Sequence, residues 1–131
     1  MMYTLSIVLN KDMNAVLVCT NRKMGIMNFV GGKVESMEDY MAASYRELEE
    51  ETGITQNDIE LKFLQTETCT MADNSVWSLY ITYGVLNKDV ELKPEKNPLT
   101  WIYDFDFLRA CGFDGDCAVY MNRVLRFIRE T

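Results

Sequence analysis

The chain of 131 residues is long enough for one domain with a single core, and its content of 48% apolar and 25% charged residues is that of a globular protein rather than a disordered one. A net charge of −7 argues against duplex nucleic acid as a partner, since that needs a basic face to displace counterions; a small phosphorylated ligand stays open if a divalent cation brings the positive charge. No run reaches the roughly 18 apolar residues of a membrane span, and the opening MMYTLSIVLN has neither the basic lead nor the cleavage site of a secretion signal.

In chain order, YTLSIVL (3–9) and AVLVC (15–19) read as a strand pair joined by the turn-forming NKDMN. NRKMGIMNFVGG (21–32) reads as a loop with a short extended piece that ends in two glycines. A helix is expected over about 37–52, with Ser36 as N-cap, Asp39 three residues on, and Gly53 as the left-handed C-terminal cap. ELKFLQTETCT (60–70) and VWSLYITYGVL (76–86) suggest a second hairpin through the polar turn ADN, and LTWIYDF (99–105) a short strand. CAVYMNRVLRFI (117–128) has helical apolar spacing in Val119, Met121, Val124, Leu125 and Ile128. Strands, a helix, strands again and a closing helix predict an α/β fold whose mixed sheet is covered on both faces.

The middle helix raises a question of charge. RELEEE (46–51) places four carboxylates, Glu47, Glu49, Glu50 and Glu51, in five positions, and like charges three or four apart oppose a helix by roughly 0.2–0.5 kcal/mol per pair. On a helical wheel Met41, Tyr45, Leu48 and Thr52 form the core side. Glu47, Glu50 and Glu51 fall on nearly the opposite side behind the small Ala43, and Glu49 points elsewhere into solvent. Bound divalent metal would turn that repulsion into ligation.

Residue usage narrows the chemistry. The chain has no histidine, and Cys19, Cys69, Cys111 and Cys117 form no CxxC pair. Zinc sites and Ser/His or Cys/His catalytic pairs are therefore not expected. Free thiols suit a reducing compartment, and the cytoplasm is the expected one. Any metal must be held by oxygen, which favours Mg2+ or Mn2+.

From Gly32 onward, GKVESMEDYMAASYRELEEETGI fits G-x5-E-x7-R-E-U-x-E-E-x-G-U, with U apolar, at Gly32, Glu38, Arg46, Glu47, Leu48, Glu50, Glu51, Gly53 and Ile54. This is the Nudix box, and the chain resembles the Nudix hydrolases. The resemblance implies a single Nudix domain over 1–131, an α/β/α sandwich with a mixed sheet and flanking helices, and metal-dependent hydrolysis of a nucleoside diphosphate linked to another group. It further implies Glu47, Glu50 and Glu51 as catalytic metal ligands, Glu47 as a candidate general base, Gly31 as a carbonyl ligand, and Glu38 with Arg46 as a brace of loop against helix. Gly32 and Gly53 are then structural, and Lys33, just past the turn, is placed to meet a phosphate.

Beyond the box, YTLSIVLN and MNFVGGKVE look like the MutT-type diphosphatases, including those that clear oxidised purine triphosphates such as 8-oxo-dGTP. Asn28 stands three residues before the double glycine, where that branch has an asparagine, and its amide could pair with a purine edge. By the same resemblance Thr4, Asp114 and Asp116 are candidates for reading the base, while Phe29, Trp77 and Trp101 could stack on it and Met24 and Met27 could wall it. The chain departs from the MutT pattern at Thr100, which precedes Trp101 where those members carry a glutamate. Glu95, Asp104 and Asp106 are the nearby substitutes for that extra ligand. Residues typical of ADP-ribose and diadenosine polyphosphate hydrolases are missing, since Cys69, Thr70 and Met71 stand at their place. A nucleoside triphosphate is thus the expected small-molecule partner. Another X-linked diphosphate, such as a nucleotide sugar or dinucleoside polyphosphate, is the nearest alternative, and a catalytically silent nucleotide-sensing domain a further one.

Overall fold

The first apolar run becomes the middle of the sheet. In the computed structural model, which describes residues 1–20, 27–70, 74–104 and 126, that run is β1 (Met2–Leu9). It is followed by β2 (Val16–Thr20), β3 (Met27–Asn28), β4 (Val30–Lys33), α1 (Tyr40–Thr52), β5 (Lys62–Thr70), β6 (Val76–Val85) and β7 (Leu99–Ile102). The sheet order is β3-β2-β1-β6-β5, with β4 also on β1 and β7 on β2. β1 runs parallel to β6 from Met2↔Ser78 to Leu9↔Val85, while the other pairings are antiparallel. The result is the expected mixed α/β fold.

The expected pairing of β1 with β2 holds only at Leu9↔Val16. The Asn10 side chain ties the turn, its Oδ1 accepting from the Asn14 and Ala15 amides at 2.9 and 3.0 Å. The strands then part: β1 takes β4 along Tyr3–Ser6, and β2 takes β7 along Val16–Cys19. In the wedge so formed the glycine pair of β4 lies directly against β1.

Side-chain alternation splits the core in two. One face gathers Leu5, Ile7, Leu9, Val16, Val18, Phe29 and Ile81. The other gathers Val8, Leu17 and Val30 against Leu48 of α1, with Ile54, Ile59, Leu61 and Leu86. Buried side chains of this size stabilise by about 1.5–3 kcal/mol each. Phe29 is fully buried in the first cluster, and Trp101 is half-buried against the second.

α1 starts later than expected. Its N-cap is Asp39, not Ser36: Asp39 is extended and accepts from the Ala42 amide at 3.0 Å. Met37 sits at φ 67, which no helix accommodates, and residues 35–38 form a turn closed by Glu38 N–H to the Glu35 carbonyl at 3.1 Å. The cost of a left-handed methionine is accepted where Glu38 must fold back toward the helix. At the other end Gly53 is the expected cap, φ 81, its N–H bonded to the Glu49 carbonyl at 2.9 Å. The expected strand at 99–105 ends at Ile102, and the expected helix at 117–128 lies outside the described residues apart from Arg126. The described residues contain no helix long and apolar enough to cross a membrane.

Candidate active site

Helix α1 packs against β1 and β4, which lie side by side in the sheet. Ala43, expected beside the glutamates with room to spare, is fully buried, as are Ser44 and Leu48. Glu49 is solvated as expected. The three remaining glutamates differ in setting. The Glu47 side chain is only 12% exposed, that of Glu50 52%, and Glu51 is half-buried. Glu47 therefore sits at the border of the core rather than opposite it.

What makes the border possible is Gly32. A β-carbon at that position would overlap the Glu47 carboxylate itself. The neighbouring Gly31 answers a different need, since a β-carbon there would overlap the Thr4 carbonyl of β1. One glycine lets the strands pair, and the other seats a carboxylate against the strand. Lys33 follows, exposed at the end of β4.

Arg46 organises the carboxylates. It holds Glu38 through two bonds, Nε to Oε2 at 2.7 Å and Nη2 to Oε1 at 2.9 Å, and Nη2 also donates to the Lys33 carbonyl at 3.1 Å. The expected brace of loop against helix is thus present. Nη1 reaches Glu47 Oε1 at 3.0 Å and Glu50 Oε2 at 3.2 Å, contacts the sequence reading missed. The i,i+4 spacing of Arg46 and Glu50 was their visible signal. Among the described residues no three carboxylates stand gathered around one point; Glu47 and Glu50 both turn to the guanidinium.

Electrostatics separate the carboxylates. The hydrogen bonds from Arg46 hold Glu38 down at about 2. Burial pushes Glu47 above its ordinary value, with Arg46 opposing and Glu50 and Glu38 adding to the rise. Burial also raises Glu51, helped by Glu47, Glu95 and Glu50 against Lys96. Glu95 is near because the Lys93 amide donates to the Thr52 carbonyl at 2.8 Å, folding residues 93–96 over the end of α1. Of the extra carboxylates considered, Glu95 lies at this site, Asp104 is exposed beyond β7, and Asp106 is outside the described residues.

The base-reading candidates are scattered. Thr4 is buried, its hydroxyl paired with the backbone of Gly32 at 3.3 Å. Asn28 is half-buried in β3 opposite Cys19, and its Oδ1 accepts from the Phe29 amide at 2.8 Å. Trp77 stacks on Tyr3. Asp114, Asp116 and Met24 lie outside the described residues, as does the Met27 side chain. The Glu47 carboxylate is seated in a cradle that only glycine at position 32 leaves open, and Glu50 and Glu51 follow it on the same helix, so the ligating groups that α1 offers here are carboxylate oxygens. This donor set fits a hard divalent cation.

The family model for the NUDIX domain matches residues 2–104. No curated protein matches the sequence significantly. Solved structures do. The Escherichia coli dihydroneopterin triphosphate pyrophosphohydrolase is similar with TM-score 0.81 and 15% identity, over 93% of this chain and 92% of that one. A Caenorhabditis elegans Ap4A hydrolase complex gives TM-score 0.84 and 15% identity, over 99% and 98%. MutT, from work on Aliivibrio salmonicida and Vibrio cholerae, gives TM-score 0.61 with 26% identity over 83% of each chain.

Proposed function

Because the chain belongs to the NUDIX family, and is thereby a pyrophosphohydrolase, we propose that it cleaves a nucleoside triphosphate to the monophosphate and pyrophosphate. The observation that carries this reading is the Glu47 carboxylate seated against Gly32 with Glu50 and Glu51 on the same helix. The likeness to MutT and to a dihydroneopterin triphosphate pyrophosphohydrolase supports a triphosphate as the substrate class.

Glu47, Glu50 and Glu51, with the Gly31 carbonyl, would hold Mg2+ or Mn2+, which when bound neutralises phosphate charge and orients the pyrophosphate leaving group. Lys33 meets the phosphate chain from the end of β4. Glu47 receives the proton of the attacking water at its carboxylate oxygen, a task suited to a carboxylate that burial makes more basic. The water oxygen bonds to phosphorus as the bridging P–O bond breaks. Arg46 releases Glu47 and Glu50 to their ligand role while keeping Glu38 and the Lys33 carbonyl, so the loop stays fixed. The sequence has no CxxC pair and the Cys19 thiol is free, which fits a reducing, cytoplasmic setting.

Incubation with a panel of nucleoside triphosphates, nucleotide sugars and dinucleoside polyphosphates, with and without Mg2+, tests the proposal. Monophosphate and pyrophosphate in equal amounts are expected from triphosphates. Release of inorganic phosphate alone, or no turnover of any triphosphate, overturns it.

A further inference from the structure

On the sheet face turned away from α1, one acceptor stands without a donor. Gln65 Oε1 is buried and has no hydrogen-bond partner among the described residues. Its orientation is fixed by chemistry. Gln65 Nε2 donates to Glu67 Oε2 at 2.9 Å, and since a carboxylate only accepts, the amide nitrogen must face Glu67 and the amide oxygen must face away. A β-bulge between Phe63 and Gln65 sets this register, placing Gln65 opposite Ile81 and Glu67 opposite Leu79. Both polar side chains therefore share a face with apolar partners, which invites a ligand rather than a packing role.

The register extends the observation across the sheet. Glu67 pairs with Leu79, Leu79 with Tyr3, and Tyr3 with Lys33. One row thus runs from a carboxylate to the lysine beside the box glycines, over three strand spacings, roughly 14 Å. Tyr3 lies within it, and Trp77, two residues before Leu79, stacks on Tyr3 with centroids 4.6 Å apart and planes 19° apart. Acceptors at one end, flat aromatic surface in the middle and a cation at the other end match the order of parts in a nucleotide.

We propose that Gln65 and Glu67 are specificity-determining residues that read a base edge carrying adjacent N–H and NH2 donors, the 2-amino-oxo edge of a guanine-type ring. The inference rests on the reading that the substrate is a nucleotide. Gln65 Oε1 and the Glu67 carboxylate only accept along this line, so both contacts are met by the two neighbouring donors of a guanine. An adenine edge sets an acceptor beside its amino group and leaves one lone pair facing another.

Two measurements separate this claim from the diphosphatase reading: calorimetric titration with GMP and with AMP, and kcat/KM for dGTP and dATP in Mg2+. The guanine compound is expected to be favoured about tenfold or more in both, the scale of one hydrogen bond made or refused. Glu67→Gln, which puts donors where an acceptor stood, is expected to bring both ratios to within about twofold. Gln65→Leu is the second variant, and thermal melting reports whether either still folds. Equal binding of GMP and AMP by the unaltered protein, or a preference that survives Glu67→Gln, overturns the inference. Base-blind cleavage of triphosphates sinks it while the diphosphatase reading stands. A Glu67-dependent preference for GMP without cleavage of any triphosphate does the reverse.

Discussion

The Glu47 carboxylate occupies the space that a β-carbon at Gly32 would fill. The two residues belong to different elements, so the strand and the helix are cut to fit each other at the point where the chemistry is expected. Gly31→Ala and Gly32→Ala should accordingly fail in different ways. At Gly31 the methyl meets the Thr4 backbone, which cannot move alone, and the expected loss of stability is about 2 kcal/mol or more. At Gly32 it meets the end of a flexible side chain, so stability falls by about 1 kcal/mol or less while Mg2+ binding and turnover fall sharply. Denaturant melts paired with metal titration distinguish the two, and equal loss of stability in both variants would refute the distinction.

Glu50→Gln and Glu51→Gln are expected to lower turnover roughly a hundredfold or more. Melting in the absence of metal should hold or rise, because Glu51 loses a charge that burial and Glu47 disfavour. Mg2+ should raise the melting temperature of the unaltered protein by mass action and leave that of Glu51→Gln nearly unchanged. If melting collapses with activity, the glutamates are structural.

Arg46→Lys keeps a positive charge but cannot grip Glu38 with two bonds and reach the Lys33 carbonyl together. A melting temperature lower by a few degrees and a weaker response to Mg2+ are expected. Melting that matches the unaltered protein would mean the guanidinium fork is dispensable.

Stability in a chelator should peak in mild acid. Glu47 and Glu51 have folded pKa values raised above 4.5, so the folded state takes up their protons first. Lowering the pH from neutral through those raised values therefore stabilises. Glu38 is depressed from 4.5 to about 2, so its contribution is present above 4.5 and is lost as pH falls toward 2. Asp58, lowered by the Thr55 amide and Lys88, acts with the same sign. Melting from pH 3 to 8 in EDTA should show both limbs. Glu51→Gln should flatten the neutral one and Glu38→Gln the acid one, whereas a monotonic profile would contradict the assignment.

The box was legible because its chemistry fixes residue types at fixed helical and turn spacings, from Gly32 to Ile54. The seating of Glu47 was not, since the wheel of α1 knows nothing of β4 closing over one side of the helix. The helix start went to Ser36 because Ser36 and Asp39 both make good caps, and nothing in the sequence around Met37 announces a left-handed residue. Arg46 was paired with Glu38 alone because the loop's return path, which brings the Lys33 carbonyl and Glu47 together, is a tertiary fact. The facing of Gln65 and Glu67 hangs on a bulge that no glycine or proline marks.

The parallel pairing of β1 with β6 has a consequence for how the chain comes into being. Ser6 and Thr82, whose hydroxyls meet at 2.9 Å in the buried sheet, are separated by 76 positions. During synthesis from the N-terminus, β1 must wait with an open edge until β6 has left the ribosome, and β2 waits longer still for β7. Such distant pairing makes for slow assembly, so chain truncated before residue 76 should emerge with the whole box and without a working site.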